Sequence, residues 1–200
     1  MEKKFNNKPN DHVVYGFNSE ATGVKIHQDF WVSRSVAVDA LVFALVDDDI
    51  LVIAVERSNK MRDEPGKYGI PCGYLDWDET LYDAMLRELY EETSLYLPDY
   101  QDLIGLDLNK QPFMIKDNPK NNHQNISVIY FTLLDFRKQN DRWQKFKTII
   151  NFTCKETAGV HLLDIKLFES AGQIYNWAFN QDELIRKGII HLKNMLQKHE

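Results

Sequence analysis

The spacing of hydrophobic and polar positions predicts strands in some parts of this chain and helices in others. Residues 31–46 begin with alternation and become continuously apolar, which predicts a long strand that is buried on both faces towards its end. The three aspartates at 47–49 predict a tight turn, and the apolar run at 50–57 predicts a returning strand. Together these runs predict a β-hairpin.

The second half of the chain shows further strand patterns and one terminal helix. Residues 102–115 and 126–136 predict two strands, of which the second is β-branched and aromatic and is expected to be central. Residues 160–169 predict a last short strand and turn. A terminal helix is predicted with Asn180 as N-cap and Glu183 completing the cap. Its inward positions fall at helical spacing: Ile185, Ile189, Leu192 and Leu196.

A short helix predicted at residues 80–93 carries an unusual density of carboxylates. Thr80 is a good N-cap, and Asp83 is placed to close a capping box. At about 100° per residue, Glu88, Glu91 and Glu92 gather on one arc, which is expected to face solvent. Glutamates three or four residues apart repel by roughly 0.2–0.5 kcal/mol per pair. The other arc is apolar or semi-apolar and is expected to face the core: Tyr82, Met85, Leu86, Leu89, Tyr90 and Thr93.

This repulsion predicts a cation beside the helix. Bunched carboxylates are the hard oxygen ligands that Mg²⁺ and Mn²⁺ prefer. Arg87 lies beside the cluster and eight residues after Glu79, so it is placed to bridge to Glu79 and to hold the acidic face. A solvated acidic helix face is the alternative for the three glutamates taken alone.

The spacing of residues around this helix resembles the Nudix box. The residues that carry the resemblance are Gly73, Glu79, Arg87, Glu88, Leu89, Glu91, Glu92 and Leu95. Ser94 stands where the family usually has Gly, just past the helix end, where a left-handed backbone is easiest for Gly. The substitution affects the turn rather than the carboxylates.

The resemblance implies an α/β (α+β) Nudix fold, a mixed β-sheet sandwiched between α-helices. It implies an N-terminal arm at residues 1–30 and a Nudix hydrolase domain at 31–200, with a basic insertion at about 137–159. It also implies a homodimer and bound Mg²⁺, with Mn²⁺ as an alternative. The implied metal ligands are the Gly73 carbonyl and the carboxylates of Glu88, Glu91 and Glu92.

The implied reaction is metal-dependent hydrolysis of the diphosphate linkage in a nucleoside diphosphate joined to another moiety. The implied catalytic residues are Glu88, Glu92, Arg87 and Glu79, with the last two orienting the metal ligands. The general base is open between Glu88, Glu92 and Glu156. ADP-ribose or a nucleotide sugar is the favoured substrate; the alternatives are an RNA-end or dinucleotide pyrophosphohydrolase and a non-catalytic nucleotide-binding sensor.

Basic and aromatic residues near the motif are candidates for substrate binding. Arg57, Lys67 and Arg34 are candidate phosphate contacts, because guanidinium groups bind phosphate bidentately. A strand-edge salt bridge is an equal alternative for Arg34. Tyr68 and Trp77 are candidates to stack on a base, and packing is an equal alternative for each.

The basic segment at 137–159 has two interpretations. It is an amphipathic insertion that packs on the domain or on a partner subunit, or it is a lid over an anionic substrate that brings Glu156 or Asp141 into the site. The segment's apolar residues fall at helical spacing: Trp143, Phe146 and Ile149 or Ile150.

Composition narrows the class of protein. Two hundred residues, 44% of them hydrophobic, fit one domain with a sizeable core. A net charge of -6 makes nucleic acid an unlikely main partner, whereas a small nucleotide substrate remains compatible. Only Cys72 and Cys154 are available for a disulfide, and neither a signal-peptide pattern nor a membrane-length apolar run is present. We therefore expect a cytoplasmic protein without a membrane segment.

Overall fold

The computed structural model describes residues 36–76, 79–106, 111–117, 126–150, 155–168 and 175–197. Within these ranges, eight strands form one mixed sheet. The strands are β1 (Val36–Val46), β2 (Asp49–Arg57), β3 (Tyr68–Gly69), β4 (Cys72–Tyr74), β5 (Ile104–Leu106), β6 (Met114–Asp117), β7 (Ile126–Asp135) and β8 (Thr157–Asp164). The helices are α1 (Leu81–Thr93), α2 (Asn140–Ile149) and α3 (Gln181–Gln197), with 3₁₀ turns at Leu97–Leu103, Ile165–Phe168 and Ala178–Asn180.

Strand β1 is the centre of the sheet. One edge of β1 runs parallel to β7, and its other edge pairs with β2 near the turn and with β4 near its N-terminal end. Strand β2 pairs with β1 only through residues 49–52, and its far end pairs with β3. Strands β1 and β2 therefore separate, and the β3–β4 segment fills the space between them.

The outer strands differ in part from the sequence prediction. The β1–β2 hairpin and the central position of β7 are confirmed. A single strand at 102–115 is wrong, because β5 and β6 are two short strands that pair with different parts of β7. Pro98 starts a 3₁₀ turn just before β5, and Pro112, which has no N–H to donate to a ladder, lies just before β6.

Helices cover both faces of the sheet, so the predicted layer arrangement is confirmed. A first hydrophobic cluster packs α1 and α2 against one face, and a second cluster packs α3 against the other. Alternating residues of β1 supply both clusters: Val38, Ala40 and Val42 belong to the first, and Leu41, Phe43 and Leu45 to the second. None of the helices within the described ranges combines the length and the apolar character that crossing a membrane requires.

Helix α3 packs as predicted but begins differently. Ile185, Ile189 and Leu192 are buried in the second cluster, and the partly buried Leu196 packs against it. Asn180 has φ 54°, a left-handed conformation rather than the extended one of an N-cap. The Glu183 carboxylate pairs with Lys187 Nζ at 2.8 Å instead of completing a cap. The preceding 3₁₀ turn thus sets the direction of α3.

Helix α2 is part of the core, so the described helical part of the basic segment packs on the domain, as one interpretation predicts. Trp143, Phe146 and Ile150 join the first cluster, and Ile150 rather than Ile149 takes the last buried position. The Phe146 ring centroid lies 4.9 Å from that of Phe136 and 5.6 Å from that of Tyr100.

We expect Phe146→Ala to lower the free energy of unfolding by about 3–5 kcal/mol, because it removes a fully buried ring and leaves a cavity. Lys145→Ala, on the exposed face of the same helix, should change it by less than about 0.5 kcal/mol. Urea denaturation followed by circular dichroism measures both variants. Equal effects of the two variants would show that α2 is not packed into the core.

Candidate functional site

The ends of α1 are fixed by local interactions. The Thr80 hydroxyl oxygen accepts a hydrogen bond from Asp83 N at 3.2 Å, which confirms the predicted N-cap. The Asp83 carboxylate accepts from the Thr80 hydroxyl at 2.6 Å, rather than from the Thr80 backbone as in a capping box. Ser94 has φ 59°, which confirms that this position is left-handed. Tyr90, expected to face the core, is 54% exposed and packs edge-on against Tyr96.

Strand β4 and helix α1 approach most closely at Gly73. A Cβ built on Gly73 would lie 2.1 Å from Glu88 Cδ and from Glu88 Oε1. Any other residue here would displace the carboxylate, so glycine is needed for space. The Glu88 carboxylate therefore lies directly on the β4 backbone and is 13% exposed.

Arg87 forms the predicted bridge to Glu79. Its Nε donates to Glu79 Oε2 at 3.1 Å, and its Nη2 donates to Glu79 Oε1 at 2.7 Å. Further bonds run from Nη1 to Glu88 Oε1 at 2.7 Å and from Nη2 to the Tyr74 carbonyl at 2.9 Å. The Arg87 hydrogen bond lowers the pKa of Glu79. One guanidinium thus joins the loop before α1, strand β4 and the helix.

Glu92 is buried, which corrects the expectation that the three glutamates share a solvent-facing arc. It is 6% exposed, whereas the Glu91 side chain is 55% exposed. Glu92 Oε2 accepts a hydrogen bond from Cys72 N at 3.0 Å. The reason for the burial is tertiary: the β3–β4 segment lies over this part of the helix.

Burial raises the pKa of Glu92 to about 8. The Cys72 N–H and the Arg57 charge act in the opposite direction, and the Glu88 and Glu156 carboxylates add to the rise. Burial also raises the pKa of Glu88, with contributions in the same direction from Glu91 and Glu156. The carboxylates therefore disfavour each other's charged forms.

Glu156, which belongs to the basic segment, acts on Glu88 and Glu92, as the interpretation of that segment as a lid predicts. We call Glu88, Glu92 and Glu156 the acidic cluster. The Glu156 carbonyl accepts from Ser58 N at 2.7 Å, and its exposed side chain acts electrostatically on both Glu88 and Glu92. Asp141 lies instead in the first turn of α2.

The acidic cluster offers the carboxylate oxygens that divalent cations prefer as ligands. Its side chains do not, however, converge on one point. Within the described ranges, no three histidine, cysteine, aspartate or glutamate side chains converge as a ready-made cation site. Arg87 holds Glu88 Oε1 at 2.7 Å, and Cys72 N holds Glu92 Oε2 at 3.0 Å. A cation that relieved the repulsion would draw the carboxylates together, and the Glu88 carboxylate already lies against the Gly73 backbone.

Two predicted phosphate contacts lie at the end of β2 and in the loop that follows. Arg57 donates from Nε and Nη2 to the Asp63 carbonyl at 3.3 and 3.0 Å, and its guanidinium lies 5.0 Å from the centre of the exposed Phe179 ring. Lys67 pairs with Glu64. The influence of Arg57 on the pKa of Glu92 places its charge near the acidic cluster.

Of the remaining substrate candidates, the structure describes only Tyr68, which is not brought to the acidic cluster. Tyr68 packs against the second hydrophobic cluster, with ring centroids 4.8 Å from Tyr175 and 5.1 Å from His161. Helix α1 lies on the face of the first cluster, so this position favours the packing alternative for Tyr68. Arg34 and Trp77 lie outside the described residues.

Two buried polar residues near the site have no counterpart in the sequence prediction. Asp39 and Gln181 are each 3% exposed, and Gln181 Nε2 donates to Asp39 Oδ1 at 2.9 Å. A single acidic residue inside a continuously apolar strand was a signal for Asp39. Gln181 gave no signal, because a polar residue at a helix start is ordinary. Burial raises the pKa of the Cys72 thiol well above its usual value, which disfavours the reactive thiolate form.

We expect Glu92→Gln to stabilise the chelator-treated protein at alkaline pH. Folding raises the pKa of Glu92 from the ordinary 4.5 to about 8, so the folded state favours the protonated form. That stabilisation is complete below about pH 4.5 and is lost as the pH rises through about 8. Glutamine keeps an acceptor for Cys72 N and carries no charge. The variant should melt roughly 3 °C or more above the unsubstituted protein at pH 9, and within about 1 °C of it at pH 4.

Glu91→Gln is the matched control, because its side chain is 55% exposed and should show no such difference between the two pH values. Differential scanning calorimetry in the presence of chelator gives all the melting temperatures. A Glu92→Gln melting temperature that stays level with the unsubstituted protein at pH 9 would contradict the burial of this carboxylate.

The sequence of this chain matches a known domain family, and its fold is similar to those of solved proteins. Residues 34–177 match the sequence profile of the NUDIX domain. No curated protein sequence matches the chain significantly. The fold is similar to the Nudix domain of Shewanella oneidensis NrtR complexed with ADP ribose, with a TM-score of 0.57 and 19% identity over 88% of this chain and 99% of that chain.

Two further solved structures share the fold. One is S. oneidensis NrtR complexed with a 27mer DNA, with a TM-score of 0.55 and 21% identity over 80% of this chain and 62% of that chain. The other is a bifunctional NMN adenylyltransferase/ADP ribose pyrophosphatase from Francisella tularensis, complexed with AMP and an Mn ion. Its TM-score is 0.53, with 20% identity over 80% of this chain and 42% of that chain. The domain match spans most of the chain and includes the whole acidic helix, and on this evidence the chain belongs to the Nudix family.

Proposed function

We propose that this protein is a metal-dependent hydrolase that cleaves the diphosphate linkage of a nucleoside diphosphate joined to another moiety. The observation that carries the proposal is the acidic cluster of Glu88, Glu92 and Glu156, packed against Gly73 and braced on one side by Arg87. Members of the Nudix family are generally hydrolases.

Glu88, Glu91, Glu92 and the Gly73 carbonyl are the proposed ligands of Mg²⁺, with Mn²⁺ as an alternative. Their fit rests on the packing of the Glu88 carboxylate against the Gly73 backbone and on the burial of Glu92. Burial, and to a lesser extent the neighbouring carboxylates, raise the pKa values of Glu88 and Glu92, and a bound cation would favour their charged forms. When bound, the cation neutralises the diphosphate and lowers the pKa of a water molecule.

The protein's own groups position the reaction. Arg87 and Glu79 orient Glu88, because the guanidinium bonds to both carboxylates. The Cys72 N–H orients Glu92 at 3.0 Å. Glu88, Glu92 and Glu156 are the candidates to take the proton from the attacking water.

The diphosphate is proposed to contact the basic residues at the end of β2. Arg57 has its guanidinium over Phe179 and near Glu92, and Lys67 follows in the adjoining loop. Arg34 and Trp77 complete the proposed substrate-binding set together with Tyr68, although the Tyr68 ring is engaged by the aromatic cluster beside α3.

ADP-ribose or a nucleotide sugar is the proposed substrate class. Its support is that one relative is complexed with ADP ribose and another is named as an ADP ribose pyrophosphatase. The net charge of -6 supports a small nucleotide over nucleic acid, although NrtR itself was crystallised with DNA. A cytoplasmic homodimer, with an arm at 1–30 and the hydrolase domain at 31–200, is proposed for the whole chain.

A magnesium-dependent screen of ADP-ribose, nucleotide sugars, NADH, dinucleoside polyphosphates, nucleoside triphosphates and capped RNA tests the proposal. We expect one strongly preferred substrate, and we expect chelator to abolish the release of mononucleotide. Glu92→Gln should lower kcat by at least about 100-fold, because it removes a ligand charge. Glu183→Gln, an exposed carboxylate-to-amide change on α3, is the matched control and should leave kcat unchanged.

The screen separates the proposal from its alternatives. Near-normal turnover by Glu92→Gln would refute the metal assignment. Activity on long triphosphate-ended RNA that falls steeply with salt would indicate an RNA-end pyrophosphohydrolase. Silence on every substrate, with tight binding of one nucleotide by calorimetry, would indicate a non-catalytic sensor.

A further inference from the structure

The side-chain amide of Gln181 ties three parts of the fold together at the back of the acidic cluster. Its Oε1 accepts a hydrogen bond from Ile70 N at 2.9 Å. Its Nε2 donates to Asp39 Oδ1 at 2.9 Å and lies 3.6 Å from Cys72 Sγ. The residue is 3% exposed, so these partners replace the water that it loses on folding.

The orientation of this amide is fixed by its neighbours. The Ile70 backbone N–H can only donate, so its partner must be the amide oxygen of Gln181. The amide nitrogen then donates to the Asp39 carboxylate. The Gln181 side chain also needs a glycine beside it, because a Cβ built on Gly69 would lie 2.8 Å from Gln181 Oε1. Phe179 and Asn180, with φ of 53° and 54°, precede Gln181 and direct it into the sheet. The backbone, the glycine and the amide therefore specify one arrangement.

Strand β4 connects this arrangement to the acidic cluster. Cys72 is the residue opposite Asp39 in the pairing of β4 with β1. The Cys72 N–H donates to Glu92 Oε2 at 3.0 Å, while its thiol faces the Gln181 amide. Cys72 is thus held between Glu92 of α1 on one side and Gln181 of α3 on the other.

We propose that Gln181 and Asp39 form a positioning pair, which holds β4 so that the Cys72 N–H fixes the Glu92 carboxylate in place for the cation. This inference rests on the proposed function, because it takes Glu92 as a metal ligand. Neither residue of the pair touches the reacting groups. Their effect is transmitted through Cys72, and it links the start of α3 to the geometry of the site on the other face of the sheet.

Reversing the direction of the Gln181–Asp39 hydrogen bond tests the pair. Gln181→Glu keeps an acceptor for Ile70 N but sets a carboxylate against Asp39. Asp39→Asn alone should leave the readouts close to those of the unsubstituted protein, because the new amide oxygen can still accept from Gln181. The double variant Gln181→Glu/Asp39→Asn restores a complete set of donors and acceptors in the opposite direction. All measurements are made at pH 8, since two facing carboxyl groups share a proton more readily at lower pH.

Two of the three readouts need no turnover. Calorimetric titration with Mn²⁺ alone gives the metal affinity, and the NMR chemical shift of the Cys72 amide proton reports its hydrogen bond. Gln181→Glu should weaken Mn²⁺ binding by about tenfold or more, move the Cys72 signal, and lower kcat with little change in KM. The double variant should return the Mn²⁺ affinity and kcat to within about threefold of the original values. It should also return the Cys72 signal to its original chemical shift.

Ile189→Val is the matched control, because it truncates a buried side chain of the same helix that belongs to the second hydrophobic cluster. It should lower the melting temperature with no change in Mn²⁺ affinity or in the Cys72 signal. If Gln181→Glu behaves like Ile189→Val, or if the double variant restores nothing, the positioning pair is refuted.

The experiment distinguishes the failure of this inference from failure of the proposed function. Absence of any hydrolysis by the unsubstituted protein would refute the function, while Mn²⁺ affinity and the Cys72 signal would still decide the role of the pair. Normal hydrolysis with unchanged Gln181→Glu readouts would refute only the pair. If Gln181→Glu does not fold, Gly69→Ala takes its place, because its Cβ would push against Gln181 Oε1. An unchanged Mn²⁺ affinity in that variant would also refute the pair.

Discussion

The close approach of helix α1 to strand β4 at Gly73 is the constraint on which the rest of the site depends. The Glu88 carboxylate occupies the volume that any side chain at Gly73 would fill. This approach is possible because β1 and β2 separate and leave a gap for the β3–β4 segment. The same approach brings the Cys72 N–H to Glu92. Backbone geometry, rather than the helix alone, therefore determines where the carboxylates lie.

The electrostatic consequence is an uneven balance of charge around the acidic helix. Arg87 compensates Glu79 and Glu88 through direct hydrogen bonds. Glu92 receives one backbone N–H and the electrostatic effect of the Arg57 charge, and the two together do not offset its burial. An uncompensated buried carboxylate is costly to folding, and such groups occur where a ligand or cation completes the site. This imbalance is the physical reason to regard the acidic cluster as functional.

Interactions between residues close in sequence were predictable, and those between distant segments were not. The Thr80 cap, the left-handed Ser94 and the Arg87–Glu79 bridge all follow from spacing within the motif. The burial of Glu92 depends on β4, and the buried Gln181 lies 111 residues from Ile70. Helical periodicity assigns a face to each residue but does not say what covers that face. For this reason the sequence predicts the acidic arc in solvent. The single strand predicted at 102–115 fails for another reason, because Pro112, which has no N–H to donate, lies between β5 and β6.

Anomalous scattering of Mn²⁺ in crystals of this protein tests whether the acidic cluster beside Gly73 binds a divalent cation, as we propose. We expect a strong anomalous peak in contact with carboxylate oxygens of Glu88 and Glu92 and with the Gly73 carbonyl. The Glu92 carboxylate would then be ionised, and it would contact the cation while still accepting the hydrogen bond from the Cys72 N–H. A peak only elsewhere, or no peak at this cluster at saturating Mn²⁺, would show that these carboxylates are not a cation site.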